Sequence, residues 1–223
     1  MTNDMTKRLI ALLICAAMLT GLCACGAKNG SATGTDATAT DATGSDAVPE
    51  GVSTVEGLNY RPEEAANAAV VYFSHNDVIR EAAEFAAAAR EIDLIELVPQ
   101  KPYPEDAAEL EARIKEEKEK GTHPALTDQP KNLDGYDIIF LGFPVWDGTI
   151  PMAVATFLED YDMVNKALIP FCYAADGRLG ESLNDIASLC RYSAIVSAYM
   201  IPQGEFLYNE PVFEGWMDQV LFG

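Results

Sequence analysis

The stretch that decides the fold is Asp137-Ile138-Ile139-Phe140-Leu141-Gly142-Phe143-Pro144-Val145-Trp146-Asp147-Gly148-Thr149-Ile150, running on through Pro151 to Leu158. Four apolar residues in a row ending in glycine, Ile138 to Leu141, read as a strand buried on both faces, the kind found in parallel sheets. Pro144 forbids continuation of the ladder, and Gly148 frees the backbone to turn. Pro151 suits a first helical position, where its missing N–H costs nothing. The stretch is therefore a strand, a loop presenting Trp146, and a helix. In open α/β sheets such loops line the carboxyl edge, where ligands bind.

Further units of the same kind flank it. Ala69-Val70-Val71-Tyr72-Phe73-Ser74 reads as a buried strand, followed by a helix to Arg90 with Val78, Ala82, Phe85 and Ala89 on one face. Ile92 to Val98 alternates as an edge strand would. Pro99, Pro102 and Pro104 impose an irregular connection through Tyr103. Charges dominate from Glu105 to Lys120, with Glu111/Lys115 and Glu116/Lys120 spaced to pair along a solvated helix. Ala167 to Tyr173 is another apolar strand, and the loop from Ala174 to Gly180 leads into a helix ending at Cys190. Ala194 to Ile201 is the last strand. A helix from Pro211 to Phe222, with Trp216, Val220 and Leu221 inward, closes the chain. Five strands alternating with helices imply an α/β three-layer sandwich, a parallel sheet with helices on both faces.

The first 57 residues stand apart. Lys7 and Arg8 precede an apolar run from Leu9 to Leu22, shorter than a membrane span and flanked as an export signal is. Leu22-Cys23-Ala24-Cys25 looks like a bacterial lipobox, which implies a lipoprotein signal peptide over residues 1–24, lipidation of Cys25, and an anchor on the outer face of the cell membrane or on an outer membrane. A plain secretory peptide and an uncleaved anchor are the alternatives. Residues 25–57 are mostly Ala, Thr, Gly, Ser and Asp, with Asp36, Asp41 and Asp46 recurring every five residues, a composition for a disordered tether. The foldable domain is assigned to residues 58–223, its first strand beginning after Ala66.

Formal charge is −20 over 223 residues. Residues 1–24 carry Lys7, Arg8 and Asp4, so the chain from Cys25 stands at −21. Such a chain repels phosphate backbones, which argues against nucleic-acid binding. Cys172 and Cys190 admit a disulfide in an exported protein. Cys190, however, shares a helical face with Leu183, Ile186 and Ala187, as a small buried hydrophobe does. No Cys/His spacing suggests a metal site, and no nucleophile–base pair of recognisable spacing suggests a hydrolase or thiol enzyme.

Together, Val71-Tyr72-Phe73-Ser74, Pro102-Tyr103-Pro104, Tyr136 to Trp146, Pro151-Met152, Phe157-Leu158-Glu159 and Ile169-Pro170-Phe171-Cys172 resemble the flavodoxin-like proteins over roughly residues 68–201. The resemblance implies sheet order 2-1-3-4-5 and FMN at the switch between the first and third strands. It also implies electron transfer or flavin-dependent reduction with an unidentified redox partner. Three loops carry the implied cofactor contacts: Ser74, His75, Asn76, Asp77, Val78 and Ile79; Pro144, Val145, Trp146, Asp147 and Gly148; and Tyr173, Ala174, Gly177 and Gly180.

Each loop departs from the family pattern. The usual Ser-x-Thr-Gly-Asn-Thr phosphate loop reads Ser74 to Ile79, with Asp77 in place of the glycine and both threonines gone. Asp77 is expected to cap the following helix, competing for the N–H groups a phosphate uses. It would also repel a phosphate by about 1 kcal/mol in water and about 4 kcal/mol near a protein surface at about 4 Å. Trp146 stands where the family stacks an aromatic on the flavin, or it packs the core. Asp147 replaces a second aromatic, and Tyr173 stacks or fills the pocket. The alternative function is therefore a flavin-free binding module on a flavodoxin scaffold.

Overall fold

The computed structural model describes residues 67–127, 133–204 and 206–222. The implied signal peptide, Cys25 and the tether lie outside these residues. Among the described residues no helix is long and apolar enough to cross a membrane.

The main sheet is parallel, in the order β2(Asp93–Glu96), β1(Ala68–Tyr72), β5(Ile138–Pro144), β6(Ala167–Tyr173), then β7(Ala194–Ile195) and β8(Tyr199–Met200), both on β6. This is the expected 2-1-3-4-5 order, with β7 and β8 as two pieces of the fifth strand. The break has a cause in β6. Leu168 O accepts from Val196 N (3.1 Å) and Cys172 O from Ile201 N (2.7 Å). Alternate residues of a parallel strand face the same neighbour, so Pro170 faces that neighbour with no N–H to give. The expected single strand over 194–201 is interrupted opposite that position. β3(Val98–Pro99) and β4(Leu126–Thr127) form a separate antiparallel pair that sequence periodicity does not signal.

Two cores sandwich the sheet. One holds Val71, Phe73, Ile139, Leu141 and Phe143 with the inner faces of α3(Met152–Asp160) and α4(Ser182–Leu189). The other holds Val70, Ile138, Phe140, Ile169 and Phe171 with α1(Asp77–Arg90) and α5(Glu210–Phe222). In α1 the buried residues are Ile79, Ala82, Ala83, Ala86 and Ala87. The inward face is therefore turned from the expected one. Alanines let the helix lie close on the sheet, while Phe85 meets Phe206 and Phe213 at the margin (5.8 and 6.3 Å). Phe213, Met217 and Leu221 are the buried residues of α5, with Trp216 and Val220 half-buried. The helix α2(Ala107–Lys120) buries no residue fully, as its composition predicts.

Cys172 and Cys190 are free thiols, both buried. Burial raises the Cys172 thiol far above its usual range and pushes Cys190 up to about 12, so neither is a reactive thiolate at neutral pH.

Candidate functional site

Strand order reverses between β1 and β5, so the loops after β1, β5 and β6 meet at one carboxyl edge of the sheet. These are the three loops picked out from sequence.

After β1, Asn76 is the N-cap of α1 with extended backbone (φ −136°, ψ 169°), and its side chain makes no capping bond. Asp77 is the first helical residue, its carboxylate 86% exposed and 4.0 Å from Arg80 Nη1. The expected Asp77 cap is thus corrected. An Asp one position inside the helix has passed the extended conformation from which a side chain reaches back to first-turn N–H groups. Ser74 Oγ donates to Asn76 O, and His75 Nε2 lies 2.9 Å from Pro104 O. Val78 is half-buried, and Ile79 is fully buried in the second core, so Ile79 reaches the site only through its backbone.

After β5, Trp146 and Thr149 exchange two backbone hydrogen bonds of 3.0 Å around Asp147 (φ 47°) and Gly148 (φ 70°). Positive φ at both central residues makes this a type I′ turn, which Asp-Gly favours. Val145 and Trp146 are half-buried, and Pro144 is buried. Trp146 meets Phe73, Tyr103 and His75 in edge contacts, with ring centroids at 5.3, 4.8 and 5.7 Å. Of the two sequence readings of Trp146, core packing is the one these contacts bear on: the ring packs on the first core and stays half-buried. Lys118 Nζ donates to Asp147 Oδ2 (2.8 Å) and Asp147 O (3.1 Å), and this hydrogen bond and charge lower the Asp147 pKa.

After β6, Tyr173 packs with the second core, opposite Trp146, and its hydroxyl donates to Gln203 Oε1 (3.0 Å). Buried Ala174 uses its carbonyl to accept from Gly177 N (3.1 Å) and Gln203 Nε2 (2.5 Å). Gly177 and Gly180 both take positive φ. At Gly180 this is coupled to close approach, since an added Cβ would lie 2.2 Å from Gly148 O, which also accepts from Glu181 N (2.7 Å). The second and third loops are thus docked backbone to backbone.

Residues beyond the sequence-selected set support the edge. Tyr103 OH donates to Glu117 Oε2 (2.7 Å), Arg113 Nε to Glu117 Oε1 (2.8 Å), and the Arg113 guanidinium lies 3.9 Å from the Tyr103 ring centroid. This network ties α2 to the ring beside Trp146. The i,i+4 spacing of Arg113 and Glu117 was visible in sequence, but its burial was not. Gln203, in the loop after β8, carried no sequence signal. Asp185 Oδ2 accepts from Ile150 N (3.3 Å), and burial raises its carboxyl above its ordinary value.

No curated protein matches the chain. Among solved structures it is similar to a protein from Bacteroides eggerthii assigned as a flavoprotein, with 24% identity, 70% of this chain and 99% of that one covered, and a TM-score of 0.61. A counterpart from Bacteroides uniformis gives 22%, 68%, 97% and 0.59. A flavoprotein from Lactobacillus acidophilus in complex with FMN gives 18%, 60%, 92% and 0.52. These likenesses speak to the fold. The family model for flavodoxin matches residues 67–210, and on that match, together with the sheet order, the chain belongs to the flavodoxin family.

Proposed function

We propose that this chain binds FMN at the carboxyl edge and serves as a redox domain, an electron carrier or reductase. The observation that carries the reading is the α1 N-terminus at the switch point, where Asn76 makes no side-chain cap bond and Asp77 points to solvent. First-turn N–H groups left without a side-chain acceptor suit an anion, aided by the helix dipole. The residues present therefore fit a flavin phosphate, even without the family's glycine. None of Ser74 to Ile79 takes positive φ, so this loop does not require one.

In this reading the backbone of Asn76 to Ile79 holds the phosphate, and the turn at Trp146 to Gly148 and the loop at Ala174 to Gly180 flank the ring. Bound FMN supplies the electron or hydride chemistry. The chain's own residues orient and exclude water. Phe73 and Tyr103 fix the Trp146 ring, Gln203 clamps the third loop, and the Gly148–Gly180 contact sets the spacing of the two ring loops. No side-chain acid or base is assigned.

We extend the proposal to location. The lipobox at Leu22 to Cys25 supports export and anchoring through lipidated Cys25, with residues 25–57 as the tether. Cys25→Ser should release the protein from the membrane fraction. The functional test is the flavin content of the purified protein. Heat release of a stoichiometric flavin identified as FMN supports the reading. A colourless protein that takes up no FMN favours the flavin-free binding module, which the self-engaged Ser74 hydroxyl and the Tyr173–Gln203 bond would then suit.

A further inference from the structure

We propose that the groove between α2 and the Trp146 turn is a binding site for a planar aromatic cation. It goes beyond the flavin reading, with which it shares only the Trp146–Asp147 turn, the cation lying on the α2 side of that turn.

The groove encloses about 710 Å³, a volume in the range of small-molecule sites. Its apolar walls are Leu110 and Ile114 of α2 and Val145 and Trp146 at the end of β5. All four are only half-buried, so α2 presents its apolar stripe to this space without sealing it. The walls are held in place. Trp146 is fixed by three ring contacts, and α2 is tied down by the Arg113–Glu117–Tyr103 network and by Lys118 on Asp147. A preformed slot with an indole in its wall suits a flat ring.

Charge selects the sign of the ligand. The two lysines on the rim are already paired, Lys118 with Asp147 (2.8 Å) and Lys115 with Glu119 (3.8 Å). Glu111 on the same rim makes no ion pair among the described residues. One uncompensated carboxylate lining the same groove as a tryptophan, in a chain of net charge −20, attracts a cation and repels an anion. The phosphate-loop residues Ser74 to Ile79 do not line the groove, and its charge is the wrong one for a flavin phosphate.

The test is calorimetric titration of the full chain with N-methylquinolinium, a flat aromatic cation, and with naphthalene-1-sulfonate, an anion of similar shape. Saturable binding of the cation is expected, with the sulfonate at least about tenfold weaker. Glu111→Gln should weaken the cation about two- to fivefold, the range for an exposed charge pair. Ile114→Arg should weaken it more than about tenfold while leaving the circular dichroism unchanged. In a Trp216→Phe background Trp146 is the remaining tryptophan, and the cation should quench its fluorescence over the same concentration range. Equal or tighter sulfonate binding, unchanged affinity in Glu111→Gln, or no saturation by the cation at millimolar concentration would each overturn the proposal. So would displacement of the cation by excess FMN, which would make the groove the flavin's own seat. Persistence of cation binding in a protein that takes up no FMN would leave this site standing while the flavin reading falls.

Discussion

Gly180 is set against Gly148 so closely that any side chain would strike the neighbouring loop. A Cβ built on Gly180 meets Gly148 O at 2.2 Å and Gly148 Cα at 2.6 Å, and Gly180 also holds φ +56°. Because the obstruction is backbone, neither loop can relax by a rotamer change. Gly180→Ala should cost about 2–3 kcal/mol, combining overpacking with left-handed strain. Gly177, at φ +70° with nothing within 4 Å of its Cβ position, is the control: Gly177→Ala should cost about 1 kcal/mol from strain alone. Urea denaturation of the two variants makes the comparison.

Lys166 stabilises the approach to β5 from an unusual place. Only 8% exposed, it donates through Nζ to Leu133 O (2.8 Å) and Tyr136 O (2.7 Å). Lys166→Met keeps the stem but leaves two carbonyls without their donor. A loss of about 2–4 kcal/mol is expected, read as a lowered midpoint at unchanged m-value.

Asp185 gives a pH signature. Burial raises its carboxyl in the folded state, despite the opposing bond from Ile150 N. Between the unfolded and the raised folded pKa the native state binds more protons, so this group's contribution to stability falls as pH rises through that window. Asp185→Asn removes the titration while keeping an acceptor for Ile150 N. The variant's melting temperature, followed from mildly acidic to neutral pH, should lack that decline. A decline of unchanged size would show that another group causes it.

In the proposed FMN site, Asp77 would act on the phosphate by charge alone. With its carboxylate 86% exposed, repulsion lies near the aqueous limit, so Asp77→Asn should tighten FMN by about two- to fivefold at low salt. The gain should shrink as ionic strength rises. Restoring the family's last threonine is a poor companion change, because Ile79 is fully buried and Ile79→Thr would place a hydroxyl in the second core.

The fold was legible because buried parallel strands leave continuous apolar runs: Ile138 to Leu141 and Ala167 to Ile169 could be little else. The break in the fifth strand was legible in principle from Pro170, but only once its facing neighbour was known. Apolar periodicity misled in α1, where alanine is as ready to be buried as phenylalanine and the larger side chains sit at the margin. At the site, the three loops follow from the flavodoxin resemblance, and the turn at Gly148 from residue type. The position of Asp77 just inside α1, the burial of Ile79 and the Gln203 clamp do not, since each depends on one residue of register or on a segment distant in sequence.

The most direct measurement is an FMN titration of flavin-stripped protein followed by flavin fluorescence. Saturable one-to-one quenching in the low micromolar range or below, tightened by Asp77→Asn, is the predicted result. Unquenched flavin up to millimolar FMN would contradict it, and the open N-terminus of α1 would then be a remnant of the fold with no cofactor to hold.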